Sequence, residues 1–182
     1  MAETSTFLQI DLTSFSEKID FEKLWNHFNS RETEFLTKAT VYSYKNPEID
    51  SGKFELKLQA LGFETKFKPI IRSHKYSGIV PVNNDIPIVI DCVSRAALYS
   101  KWIFIANNSS ESLIDVGKYL KGLGKQIEIW CSINNYNPIM EPYSDKLCFV
   151  EDFFIFKKQR INVFGTNYKF EALMDSTSIG IS

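Results

Sequence analysis

The side chains in this sequence best suited to chemistry are carboxylates placed where apolar runs end or begin. Asp11 closes the run Thr6 to Leu12 (TFLQIDL), Asp85 and Asp91 share one amphipathic segment, Glu111 stands ahead of the next, and Asp152 precedes FFIF. An acid in such a place can cap a helix or offer oxygen to a hard cation. Other chemistries find no support. The turn after the first apolar run is Leu12, Thr13, Ser14, Phe15, and no glycine-rich phosphate loop follows any strand. His27 lies among helix residues and His74 in a polar loop, with no serine or cysteine in a nucleophile turn. Cys92, Cys131 and Cys148 are too widely spaced for a thiolate metal site and read as reduced core thiols.

The elements that must carry these acids follow from periodicity. Thr6 to Leu12 reads as a buried strand, and Asp20 caps a helix whose inner face is Phe21, Leu24, Trp25 and Phe28. Leu36 to Tyr44 is a second strand. Phe54, Leu58 and Leu61 mark a second helix closed by Gly62, and Phe63 to Ile71 returns as a third strand. Ile86 to Ser100 is expected as a helix capped by Asp85, with Pro87 in its first turn. Lys101 to Ala106, the helix Leu113 to Leu123 ended by Gly124, and Gln126 to Cys131 complete the alternation. Strands alternating with helices imply an α/β fold with a mostly parallel, doubly wound sheet, whose functional side chains gather at the carboxyl ends of the strands. Asp11 and the Asn107 to Glu111 segment both follow strands and should face one crevice. From Lys146 the pattern changes, and the end of the chain reads as an appendage in which Gly165, Thr166 and Asn167 could turn a hairpin, followed by a frayed tail.

Composition limits the function classes. The chain has 182 residues, is 44% hydrophobic and contains 15 Phe, 8 Tyr and 3 Trp, enough for one packed domain. A net charge of -1 offers no whole-molecule field for nucleic acid or membrane, so any such partner depends on a local patch. Two basic patches stand out: Lys66, Lys68, Arg72, His74, Lys75 and Tyr76, and Lys157, Lys158 and Arg160. Basic groups beside a ring suit single-stranded RNA, although a charge run is more often a solvated face. No apolar run approaches the ~20 residues of a membrane span, and Met1 to Thr6 lacks the features of a signal peptide. The expected setting is intracellular, cytoplasmic or nuclear, with no membrane partner.

Taken in order, these acids resemble the NYN family of PIN-like ribonucleases over about Thr6 to Phe156. The family's first strand ends in a motif like F-I-D-G-D-N, and QIDLTSF keeps its leading Asp at Asp11. Its later helix reads like V-D-V-x-L-x-x-D, and NDIPIVID keeps both acids at Asp85 and Asp91. Its S-G-D-x-D-F turn is replaced by NNSSES, Asn107 to Ser112, whereas the following L-G-K and V-E-V pattern is matched by YLKGLGKQIEIW. Ser144, Leu147 and Asp152 with Phe153 and Phe154 match the family's last motif.

The resemblance implies a PIN-like three-layer fold over residues 1–156, with a C-terminal hairpin or extension over 157–182. It also implies a carboxylate cluster holding Mg²⁺ or Mn²⁺ that activates water at a phosphate. Asp11 and Asp85 are then the catalytic pair, with Asp11, Asp85, Glu111 and Asp152 as metal ligands. Asp91, Ser14, Asn107 and Asn108 support them, and Lys66, Lys68, Arg72 and Lys75 form the RNA surface. Ser14 and Ser109 stand where the family carries ligands, and Glu111 could substitute for a second acid of the altered turn. The sequence thus favours an RNA-binding or scaffolding descendant with weakened or lost cleavage. An active Mg- or Mn-dependent endoribonuclease is the first alternative. The second is a protein–protein interaction module using Phe149 to Phe170, with no nucleic acid bound.

Overall fold

The computed structural model describes residues 4–31, 34–45, 51–69, 85–107, 111–136 and 138–155. Strands β1 (Thr4–Asp11), β2 (Glu34–Lys45), β3 (Glu64–Pro69), β4 (Lys101–Ile105), β5 (Gln126–Cys131) and β6 (Lys146–Phe149) form one sheet. Helices α1 (Phe21–Asn29), α2 (Ser51–Ala60), α3 (Asp85–Arg95) and α4 (Glu111–Gly122) connect them. The order across the sheet is β3-β2-β1-β4-β5-β6, and every pairing is parallel. The fold is therefore the expected three-layer α/β arrangement around a parallel sheet.

The pleat divides the core in two. Leu8 and Ile10 of β1 join Val41, Ile103 and Ile105 beneath Phe21, Leu24 and Phe28 of α1 and Leu58 of α2. Phe7, Trp102 and Phe104 face the other way, toward Ile88 and Cys92 of α3 and Leu113, Val116 and Leu120 of α4. Buried β4, with the sequence KWIFI, is apolar on both faces apart from its first residue, as a central parallel strand should be. The chain winds outward from β1 to β3, crosses back through α3, and continues outward from β4 to β6. The winding direction thus reverses between β1 and β4.

Local chemistry sets the boundaries. Asp20 caps α1 by accepting from the Lys23 amide at 3.0 Å, as its spacing predicts. Gly62 and Gly124 end α2 and α4 with φ of 102° and 71°. Three elements differ from expectation. β1 stops at Asp11, because Leu12–Ser14 turn into a 3-10 helix capped by the Asp11 carboxylate. Asp85 is the first residue of α3, not a cap outside it, and α3 ends at Arg95, where the Leu98 amide bonds the Arg95 carbonyl and Tyr99 is buried. Lys146–Phe149, expected to begin an appendage, is a sixth parallel strand. Asp145 pins its entry, giving its amide to the Ile127 carbonyl and accepting the Ile127 amide, both at 2.7 Å. The hairpin or extension expected over 157–182 lies outside the described residues.

Candidate functional site

The strand order reverses between β1 and β4, and it is at the carboxyl edge of the sheet beside such a reversal that ligands of doubly wound proteins bind. Phe7 and Gln9 of β1 face α3 and α4, so the pleat sets Asp11 at the next position on that face. Because α3 returns the chain from the carboxyl edge of β3 to the amino edge of β4, its first residue lies at that same edge. There Asp85 heads the inward stripe that continues through Ile88 and Cys92. Asp11 and Asp85 are 5% and 6% exposed. The fold therefore brings these two acids to one edge and one layer.

The polar residues beside them are bonded to one another. One Asp11 carboxylate oxygen accepts from the Thr13 amide at 3.1 Å and the Thr13 hydroxyl at 2.6 Å. The Ser14 hydroxyl donates to the Asp11 carbonyl at 2.7 Å and accepts the Asn107 amide at 2.9 Å. The Asn107 side-chain oxygen accepts the Ser132 amide at 2.7 Å. Ser14 and Asn107 thus latch the ends of β1, β4 and β5 together. A cavity of about 30 Å³ beside Asn107, lined by Phe104, Leu113, Ile129, Cys131 and Met140, has room for a water-sized group but not for a base.

Asp91 serves a different purpose. It is buried, and its carboxylate meets the Lys66 ammonium and the Tyr42 hydroxyl, with Arg95 at 3.6 Å. The Tyr42 hydroxyl accepts from the Gln9 side-chain Nε2 at 2.7 Å, and the Cys92 thiol donates to the Gln9 side-chain Oε1 at 3.0 Å. Burial, then the bond to Asp91, pushes the Tyr42 phenol well above its ordinary value, so it remains a donor. This chain of bonds satisfies the polar groups it links between β1, β2 and α3, as burial requires. Lys66 is consequently bound to Asp91, and Lys68 is half-buried farther along β3.

Of the remaining expected residues, Asp152 lies apart from Asp11 and Asp85. Asp152 is exposed on a 3-10 turn (Glu151–Phe153) whose Phe153 packs with the α1 core, on the layer opposite α3. Its backbone carbonyl accepts from the Lys23 ammonium at 2.8 Å. Glu111 opens α4. Asn108, Ser109, Arg72, His74, Lys75, Tyr76 and the patch Lys157, Lys158 and Arg160 lie outside the described residues. Among the described residues no group of three or more His, Cys, Asp or Glu could hold a metal ion. With Asp91 ion-paired and one Asp11 oxygen taken by Thr13, the described donors do not fit a Mg²⁺ or Mn²⁺ centre built by the protein alone.

One polar cluster escaped the sequence reading. Glu128 of β5 is 1% exposed and accepts two bonds from the Arg31 guanidinium, at 2.9 and 3.0 Å, with the Lys101 ammonium at 2.7 Å and the Trp130 indole N–H at 2.7 Å. Burial alone raises its carboxyl, but the hydrogen bonds and charges of Arg31 and Lys101 prevail and hold it at about 2. Its signal was legible: a glutamate inside QIEIWC and a lysine opening KWIFI are charges within strands otherwise apolar on both faces.

No family model and no curated protein matches the chain. The structure is similar to the crystal structure of a protein of unknown function from Vibrio parahaemolyticus, with a TM-score of 0.69 and 13% sequence identity. That match covers 85% of this chain and 99% of the other, and it establishes the shared α/β fold.

Proposed function

We propose that this chain is a PIN-like domain of NYN type, descended from metal-dependent endoribonucleases, that binds single-stranded RNA or scaffolds it without efficient cleavage. The observation that carries this reading is the pair Asp11 and Asp85, both buried at the carboxyl edge where the strand order reverses. Two further observations favour loss of cutting over its retention. Ser14 and Asn107 are bonded into the backbone latch, and Asp91 is committed to Lys66. Among the described residues, two carboxylates without a third leave too few oxygens to hold a hard cation before the substrate arrives. Lys68, with Arg72 and Lys75, supplies the phosphate contacts in this reading, and Lys66 acts on them only by fixing β3 to α3. The three free thiols accord with an intracellular setting, in cytoplasm or nucleus.

The test combines calorimetric titration of Mn²⁺ with incubation of a labelled single-stranded RNA in Mg²⁺. Weak or no metal binding, with RNA held but not shortened, is the expected result. Tight Mn²⁺ binding abolished by Asp11→Asn, together with RNA cleavage, would restore the nuclease reading.

A further inference from the structure

His27 sits where the last turn of α1 meets β5 and the turn Glu151–Phe153. Its half-buried ring lies among those of Phe28, Trp130 and Phe153, with centroids between 5.1 and 5.4 Å from its own. Its Nε2 is 3.2 Å from Nη2 of Arg31. A guanidinium offers only N–H donors and keeps its proton, so the ring nitrogen facing it must be the acceptor. That fixes a neutral imidazole with its proton on Nδ1, and it sets the place of any second proton directly against Arg31.

Arg31 is poorly placed to withdraw. Its guanidinium is forked onto Glu128 at 2.9 and 3.0 Å and lies over the Phe28 and Trp130 rings, with centroids 4.5 and 5.7 Å away. Glu128 also meets the Lys101 ammonium at 2.7 Å and the Lys146 ammonium at 3.7 Å, so three cations hold it already. The Cys148 thiol 3.9 Å from Glu128 is pushed up by burial and adds no charge. Of the charges that act on His27, Arg31 and Lys146 oppose a proton and Glu128 and Asp152 favour it, and Arg31 is the one it touches.

We propose that His27 is an acid-operated release for the end of α1: a proton on Nε2 removes the acceptor, sets imidazolium against guanidinium, and lifts the last turn of the helix from β5. The ring gives way rather than Arg31, because the guanidinium is fixed by Glu128 and two aromatic faces whereas α1 ends at Asn29. Ser30 marks the part that moves, since its amide bonds the Asn26 carbonyl and its hydroxyl the His27 carbonyl, both at 3.0 Å. Burial, then the charge of Arg31, holds the imidazole below its ordinary value of 6.5. The released form therefore takes up the proton first as pH falls. The closed form is fully favoured above the ordinary value and is lost as pH drops toward the lower one. The device lies in the α1 layer, opposite the α3 layer of Asp11 and Asp85, and does not depend on RNA binding.

Nuclear magnetic resonance of the full chain supplies the test. A long-range nitrogen–proton correlation spectrum near neutral pH should show His27 with its proton on Nδ1, its signals being told from those of His74 by the variant His74→Gln. Hydrogen exchange should show the Ser30 protection factor falling about fivefold or more from about pH 8 to about pH 5, since like charges in contact repel by about that factor even at the dielectric of water. His27→Gln, whose side-chain oxygen accepts from Arg31 and does not titrate, should hold that factor constant, and His74→Gln should follow the wild type. An Nε2–H tautomer overturns the proposal, as does a Ser30 protection factor that is flat in the wild type or falls equally in His27→Gln.

Discussion

The Lys66 ammonium lies 2.7 Å from one carboxylate oxygen of Asp91 and 2.6 Å from the other. This pair ties β3 to α3, and α3 carries Asp85 at its first residue. Removing Asp91 leaves a lysine without its partner and a buried tyrosine hydroxyl without its acceptor. Asp91→Ala should therefore cost about 3 kcal/mol in urea unfolding. Lys66→Ala should also lower the unfolding midpoint, whereas a lysine serving RNA alone would leave stability unchanged.

Glu128 sets an acid limit on stability. Its carboxyl is held at about 2 in the folded chain against an ordinary value of 4.5. A folded value below the unfolded one means that its contribution is full above the unfolded value and is lost as pH falls toward the folded one. Stability followed by denaturant titration should decline between those values. Glu128→Gln should be less stable at neutral pH and should show a shallower decline across that window.

Gly62 is a backbone requirement. It sits at φ 102°, and a Cβ there would lie 2.7 Å from the Trp25 ring. Gly62→Ala should destabilise the fold by about 2 kcal/mol, from strained backbone together with displacement of a packed indole. A thermal shift with no change would contradict this packing.

Ser14 holds the end of β4 through the Asn107 amide. Ser14→Ala should cost about 1 kcal/mol and hasten hydrogen exchange at Asn107, while amides in the middle of β4 keep their protection. Unchanged exchange at Asn107 would show that the latch is not held by this hydroxyl.

Much of this organisation could be read from sequence because it depends on local pattern. The alternation of apolar strands with helices, the Asp20 cap and the glycines closing α2 and α4 are short-range signals. Asp11 and Asn107 were placed at one edge because both follow strands of a parallel sheet, and the Ser14 hydroxyl joins them there. Other features depend on partners distant in sequence. Nothing near Asp91 announces that Lys66 and Tyr42 will meet it, and nothing near Ser14 announces the Asn107 amide. β6 was hidden for the same reason, since its entry is fixed by Asp145 against Ile127 of a neighbouring strand.

The proposed function is RNA recognition by a PIN-like domain with a reduced acidic centre. Fluorescence anisotropy of a labelled single-stranded RNA, titrated with the full chain in Mg²⁺, tests it most directly. Saturable binding that weakens with salt, drops when Lys68, Arg72 and Lys75 are neutralised, and leaves the RNA intact is the predicted result. An anisotropy that stays flat at every protein concentration, or binding indifferent to the three neutralised residues, would contradict it.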